Sequence, residues 1–383
     1  MQENLDQAKY LSARKFVDYY SFLAPTGYTQ AAIDNIKSME SVGVSISLKC
    51  MHGKMVGTGF SSNERNWLVN LLNKKSHPLA CQFLHAIPPR WNSVPKNKNR
   101  IALFVFENNK ILPSWIAKLK ECMAVIVPSK FNYDSLKNYG VDNVFLVNHA
   151  VDTSIWNNDI RMPRIDPDKT RIITIGTWRE RKNWKNMTLA VCELLKENKD
   201  IEWTLKVDKG NIANEDLKKW LTEANCINFL NSKIKLDSRI LDESAMARLV
   251  SSHDILLSAS LGEGFGLPAL QSCFSGLVVV CPRYGGYNEF FDEDSYFEIK
   301  PKGVIKIPKM DNLLQFDDLE WPLYDKDSIM DALYLCIGNL QKAKSRVSMV
   351  AERASKKFNH KTIGMSFLNV LNTCDAIPSN KNT

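Results

Sequence analysis

Short apolar runs alternate along the chain with stretches whose apolar positions recur at helical spacing, and the alternation holds in both halves. In the first half, Phe16 to Ala24 reads as a strand, residues 26–29 as a loop, and Gln30 to Ser41 as a helix. Val44 to Lys49, Leu79 to Leu84, Ile101 to Phe106, Ala124 to Val127 and Val144 to Val147 follow as strands. Asn157 to Lys169, polar and proline-bearing, reads as a linker. Arg171 to Gly176 opens a second set, continued by Trp203 to Val207, Ile227 to Leu230, Ile255 to Ser258 and Val278 to Val280. Strands separated by helices need crossover connections, so each half predicts a parallel sheet with helices on its faces. Beyond about residue 325 the pattern is helical only, and Thr362 to Cys374 has the spacing of an amphipathic helix. The expected class is α/β, with two doubly wound Rossmann-like domains, residues 1–156 and 170–383, facing each other across a cleft. C-terminal helices complete it, the last packing back on the first domain.

Composition narrows this only slightly. At 383 residues the chain exceeds one ordinary core. Its 44% hydrophobic and 24% charged content is that of a soluble globular protein, and no segment has the roughly 18 consecutive apolar residues of a membrane span. Met1 to Arg14 lacks a signal peptide's apolar region, so a cytoplasmic location is expected. The nine cysteines are scattered singly with no C-x-x-C pair, which argues against a disulfide framework and a zinc site and for buried thiols. A net charge of +8 fits a nucleic acid, an anionic membrane or a phosphate-bearing substrate equally well. The densest basic stretch holds Arg90, Lys96, Lys98 and Arg100 beside Pro95, and reads either as a solvated loop or as an acceptor-binding one.

The chemistry concentrates in the second half. Glu263, Gly264, Phe265, Gly266 and Leu267 run from an apolar strand into a helix, Leu267 to Phe274, opened by Pro268. In open parallel sheets ligands bind at the strands' C-terminal edge, where backbone N–H groups and the helix dipole favour an anion. The strand ending at Gly176 leads into a second loop with Arg179, Arg181 and Lys182 ahead of a helix from Trp184 to Lys196. Those cations could clamp a diphosphate and neutralise charge that builds on it as a bond breaks. Taken alone, the same loop could be a solvent-facing charged turn.

Set side by side, these two segments resemble the nucleotide-sugar glycosyltransferases of family 4, which have the GT-B fold. Val127 to Phe131 with Leu136 to Val141, Val147 to Asp152, Phe106 to Trp115 and Val280 to Glu289 with its Gly285-Gly286 pair match further motifs of that family in order. The resemblance is good over residues 100–290 and weak over the first 90. It implies that Glu263, the first glutamate of an E-x7-E motif, approaches the donor sugar, and that Gln271 stands where a second glutamate usually meets the ribose. Arg181 and Lys182 are implied to bind the diphosphate and stabilise the leaving charge. Thr177 follows Gly176 where the family often has arginine, which leaves Arg179 or Arg181 to supply that charge. Gly266 and Leu267 would offer backbone N–H groups, and Gly27, beside Tyr28 in the first domain's opening loop, would let acceptor or phosphate approach closely.

His85 stands near a family position that contacts the donor sugar across the cleft, and reads equally as a capped loop histidine. Glu107 is open between a structural hydrogen bond and acceptor binding. His149, in place of a glycine, favours a structural role between domains. Trp115, Trp156, Trp178 and Trp184 favour packing over a sugar platform. The resemblance implies a retaining hexosyl- or pentosyltransferase that uses a nucleoside-diphosphate sugar and neither metal nor other cofactor. Its acceptor hydroxyl would lie on a saccharide or glycoconjugate. Two other readings remain open: transfer to a hydroxylated base in DNA, favoured by the basic balance, and a catalytically weak nucleotide-sugar-binding protein, suggested by Gln271 and Thr177.

Overall fold

The computed structural model describes residues 16–51, 55, 58–96, 99–108, 110–160, 166, 168–198, 200–292, 295–307 and 319–376. Met1 to Arg14, Lys98 and part of the expected linker lie outside them. The chain divides into two compact units, Met1–Asp152 with Lys356–Thr383, and Thr153–Ser355.

The first unit runs β1 (Phe16–Ser21), α1 (Gly27–Ser41), β2 (Ser45–Cys50), α2 (Ser62–Asn73), β3 (Cys81–His85) and β4 (Arg100–Leu103). It continues with α3 (Pro113–Lys120), β5 (Ala124–Val127), α4 (Lys130–Asn138) and β6 (Val144–Leu146). The six strands are all parallel, in the order β2-β1-β3-β4-β5-β6. Strand order reverses between β1 and β3, the place where a doubly wound sheet leaves a crevice at its C-terminal edge. Helix α1 starts earlier than the apolar pattern implied. The Thr26 hydroxyl accepts from the Thr29 N–H at 3.3 Å, so the expected loop at 26–29 is the cap and first turn of the helix.

The second unit has β7 (Thr170–Ile175), α5 (Trp184–Glu197), β8 (Ile201–Lys206), α6 (Gly210–Glu223), β9 (Ile234–Asp237) and α7 (Glu243–Ser251). β10 (Ile255–Leu257), α8 (Leu267–Phe274), β11 (Val278–Pro282) and β12 (Phe297–Ile299) follow. The sheet is again all parallel, ordered β12-β11-β10-β7-β8-β9, and reverses between β7 and β10. An antiparallel hairpin, β13 (Gly303–Ile307) with β14 (Leu319–Leu323), precedes α9 (Lys326–Gly338) and α10 (Leu340–Lys357). With these elements the chain builds two Rossmann-like α/β units.

One expected strand is absent. Ile227 to Leu230 forms a 3-10 turn at Ile227–Phe229 rather than a strand. Ile227 is 45% exposed there, while Ile234, beyond a turn that puts Asn231 at φ 62°, is fully buried in β9. The alternation of buried Ile234 and half-buried Leu236, and not the longer apolar run, sets the sheet edge.

The last helix, α11 (His360–Ala376), lies in the first unit and not with the residues that precede it. Ile363, Phe367, Val370 and Leu371 join that unit's core beside Ile33, Ile36 and Met39, each burial contributing roughly 1.5–3 kcal/mol. Gly364 lets the helix approach closely, since a Cβ there would overlap the Ser38 carbonyl of α1. His360 Nε2 meets the buried Asp34 carboxylate at 3.1 Å.

Candidate active site

In the second unit, the loop after β7 is fixed by its aromatic residues. The Trp178 backbone N–H donates to Asp208 (2.7 Å) and its indole to Asp216 (2.8 Å), and its ring stacks on Trp184 and Trp220. Asn183 takes the left-handed conformation (φ 59°) and donates its amide to the Tyr324 carbonyl at 2.7 Å, which starts α5. Between these anchors Arg181 and Lys182 form a 3-10 turn. The Lys182 stem passes over Gly176, where a Cβ would stand 3.2 Å from the lysine Cε.

The loop after β10 meets this turn directly. The Leu261 N–H donates to the Arg181 carbonyl at 2.8 Å. Lys182 Nζ and Arg181 Nη1 both donate to Glu263 Oε1, the latter at 3.3 Å. Arg181 also donates to the Gly262 carbonyl and to Ser260 Oγ. All three charged side chains are largely buried. Burial pushes the Glu263 carboxyl up, but Lys182 and Arg181 more than offset it and hold the group below its ordinary value. The cluster is therefore two cations and one carboxylate at neutral pH. It stands at the point where the sheet order reverses, at the C-terminal ends of β7 and β10.

Three glycines make the Glu263 loop possible. Gly285 (φ 69°) and Gly286 lie against it so closely that a Cβ would overlap the Glu263 carbonyl or the Phe265 backbone. The Gly286 N–H donates to the Glu263 carbonyl at 2.9 Å. Gly266, left-handed at φ 87°, caps α8 without a side-chain hydrogen bond; the Ala269 and Leu270 N–H groups turn back to its carbonyl at 2.9 and 3.3 Å, Pro268 has no N–H, and the Leu267 N–H makes no hydrogen bond among the described residues. Tyr287 covers Gly266 and bonds Ser258 at 2.8 Å. Gly264, Phe265 and Leu267 are buried, as is Gln271 on α8, whose amide makes no hydrogen bond among the described residues. Arg179, by contrast, is exposed.

A crevice bounded by Lys182, Glu263, Gly266 and Tyr287 holds only about 10 Å³, so a ligand would rest on this cluster and not inside it. A cavity of about 480 Å³ elsewhere in the unit, lined by Arg283, Lys300, Lys342 and Arg346, contains none of the predicted residues.

The first unit has its own polar cluster at its own reversal point. His85, the last residue of β3, is fully buried, and its Nδ1 lies 2.9 Å from the Tyr19 hydroxyl of β1. Asn35 of α1 donates to Tyr19 at 3.4 Å, and its Oδ1 faces His149 Nδ1 at 3.4 Å. The Tyr28 ring lies 4.2 Å from the His85 ring. His85 Nε2 and the Tyr28 hydroxyl are both buried with no hydrogen-bond partner among the described residues. Burial, then the neighbouring His149, hold His85 well below its ordinary pKa, and burial holds His149 at about 4. Both rings are neutral at pH 7.

His85 is a buried residue at a strand end and not a loop histidine. His149 bonds within its own unit. Gly27 is the exposed first residue of α1, and a Cβ there would meet nothing within 4 Å, so the protein itself imposes no need for glycine. Glu107 is half-buried after β4. Arg100 of the basic stretch is committed to Gln82 and to the carbonyls of Val94 and Pro95. Trp115 and Trp156 pack, the latter donating to Glu243 at 2.8 Å. Sequence reasoning missed Tyr19, Asn35, Ser260 and Tyr287. Only Asn35, a polar residue on the apolar face of α1, left a visible signal. Among the described residues no group of His, Cys, Asp and Glu could hold a metal ion, and no helix is long and apolar enough to cross a membrane.

Residues 169–305 match the family model for glycosyl transferases, group 1. No curated protein matches the chain. Among solved structures, a glycosyltransferase from Rickettsia africae is similar at a TM-score of 0.69 and 14% identity, over 94% of this chain and 98% of that one. Sucrose-phosphate synthase from Thermosynechococcus elongatus is similar at 0.67 and 13%, over 94% and 99%. HepE from Anabaena, solved with UDP and glucose, is similar at 0.66 and 12%, again over 94% and 99%. At these identities the structures establish the shared fold.

Proposed function

We propose that the protein is a group 1 glycosyltransferase that moves a sugar from a nucleoside-diphosphate donor to a hydroxyl group on a saccharide or glycoconjugate. The observation that carries the reading is the buried Arg181–Lys182–Glu263 cluster beside the uncapped start of α8. Two cations and a helix N-terminus, with one carboxylate between them, suit a diphosphate joined to a polyol. Arg181 and Lys182 would take the diphosphate, aided by backbone N–H groups from Gly264 to Leu267. Glu263 would accept from sugar hydroxyls, and Gln271 would meet the ribose. Arg179, at the mouth of the same turn, would add long-range attraction. In the first unit His85 would donate to a sugar hydroxyl, and Gly27, Tyr28 and Glu107 would serve as the acceptor or phosphate loop.

The course we favour retains anomeric configuration. The bond between the anomeric carbon and the β-phosphate oxygen breaks, the acceptor oxygen bonds to that carbon from the same face, and the acceptor proton passes to the phosphate. Arg181 and Lys182 stabilise the charge left on the diphosphate, a role that elsewhere falls to a metal ion. The proposed setting is cytoplasmic.

Because HepE was solved with UDP-glucose as well as with UDP, that donor heads the screen. Thermal melting with nucleoside diphosphates and their sugars is expected to show a stabilising shift, since a ligand at a hundredfold its Kd adds about 2.7 kcal/mol. If no nucleotide or nucleotide-sugar shifts the melt, the reading fails.

A further inference from the structure

The buried polar chain behind His85 has a direction. Asn35 Oδ1 can only accept, so the facing His149 Nδ1 carries a proton. Asn35 Nδ2 can only donate, and it donates to the Tyr19 oxygen. Tyr19 has one proton, and the acceptor in reach is His85 Nδ1 at 2.9 Å. With Nδ1 filled as an acceptor, a neutral His85 must hold its own proton on Nε2, the atom that is buried and unpartnered.

We infer that Asn35, acting through Tyr19 and oriented by His149, is a positioning residue that keeps His85 in its Nε2–H form, so that the imidazole meets its ligand as a hydrogen-bond donor to a neutral hydroxyl oxygen. An unpaired donor buried in a folded protein is costly, and it persists where a ligand completes it. The Tyr28 hydroxyl, also buried and unpartnered beside His85, supplies the complementary group, able to accept the proton of that same hydroxyl or to donate to a second. Burial keeps the imidazole uncharged. Such a pair suits a polyol better than a phosphate, which would draw its binding from cations. The identity of the ligand as a sugar rests on the function proposed above, whereas the proton's position does not.

The two can be tested apart. Two-bond proton–nitrogen correlation spectra of the full chain, labelled at histidine and free of substrate, report which ring nitrogen is protonated; His85→Gln assigns the signal. The wild type is expected to show His85 protonated on Nε2 and bare on Nδ1. In Asn35→Asp the new carboxylate, balanced by a proton that His149 takes up beside it, accepts the Tyr19 O–H, so Tyr19 becomes an acceptor for His85 and the His85 proton moves to Nδ1. In Tyr19→Phe the ring loses its partner and both forms appear. Sugar transfer in Asn35→Asp is expected to fall about tenfold or more, the loss of one buried donor contact, with a thermal melt confirming that each variant folds. A wild-type His85 protonated on Nδ1, or a proton that stays on Nε2 in a folded Asn35→Asp, would overturn the proposal. A failed donor screen would remove the sugar and leave the spectra unaffected.

Discussion

The two units place polar side chains at equivalent points of two sheets, between β1 and β3 in one and between β7 and β10 in the other, yet they solve burial differently. In the second unit the groups are ionised and satisfy one another: Arg181 and Lys182 hold the Glu263 carboxylate. In the first they are neutral, and the chain from His149 to His85 ends on Nε2, which has no partner among the described residues. A buried charge without a counter-charge costs several kcal/mol, so a charged site must be completed by the protein itself. A neutral donor costs less and can be left for a ligand. The same edge of the same sheet type thus carries a charged cluster in one unit and a neutral one in the other.

The largest expected effect comes from removing a cation. Lys182→Ala should lower turnover by about 10² to 10³, measured with whichever donor the melt identifies; an unimpaired variant would erase the contrast between a charged and a neutral site. Acid should act next, through the neutral histidines. His149 and His253 are held near pKa 4 and His85 well below 6.5, in each case first by burial. As pH falls through about 6.5 the unfolded chain takes up protons that the folded chain refuses, so stability is complete above 6.5 and is lost towards 4. Each such histidine accounts for at most about 1.4 kcal/mol per pH unit. Asp34, pushed up by burial, opposes one of them. Denaturant melts at several pH values should show the decline, and a flat profile between pH 6.5 and 4.5 would contradict neutral burial.

A smaller change tests Gln271. Restoring a carboxylate with Gln271→Glu should strengthen donor binding by about 1–2 kcal/mol, read from titration calorimetry; unchanged or weaker binding would remove this position from the ribose. Gly27→Ala should leave the melting temperature within about 1 °C or raise it slightly, because the side chain meets open space and the chain loses freedom when unfolded. A loss of transfer with no loss of stability would show that a ligand, and not the fold, needs that glycine.

Much of this was legible in the sequence, for identifiable reasons. β5 and α8 have the expected bounds because each is a compact apolar run closed by a clear signal, Pro128 after one and Gly266 with Pro268 before the other. β9 was misplaced because Ile227 to Leu230 is more apolar than Ile234 to Asp237, and only the sheet decides which run is buried. β12 and the β13–β14 hairpin were not anticipated, being short strands broken by charged residues or Pro322. The ion cluster was anticipated as facing loops, and the direct bonds to Glu263 add what a string of residues does not contain. Tyr19 was read as an ordinary strand residue, since a buried tyrosine and a tyrosine in a hydrogen-bonded chain have the same alternation. Its partners are 16 and 66 positions away.

Helix α11 carries a consequence for the order of synthesis. It supplies Ile363, Phe367, Val370 and Leu371 to the core that also contains β1 and α1, while Thr153–Ser355 build the other unit. A ribosome makes the first sheet before the second unit and its covering helix after it. The second unit can close as it emerges, but the earlier one must wait with an apolar face open until α11 has followed it. Nascent chains stalled before His360 should therefore be cut by protease within β1 to β6 while β7 to β12 resist, and emergence of α11 should protect both.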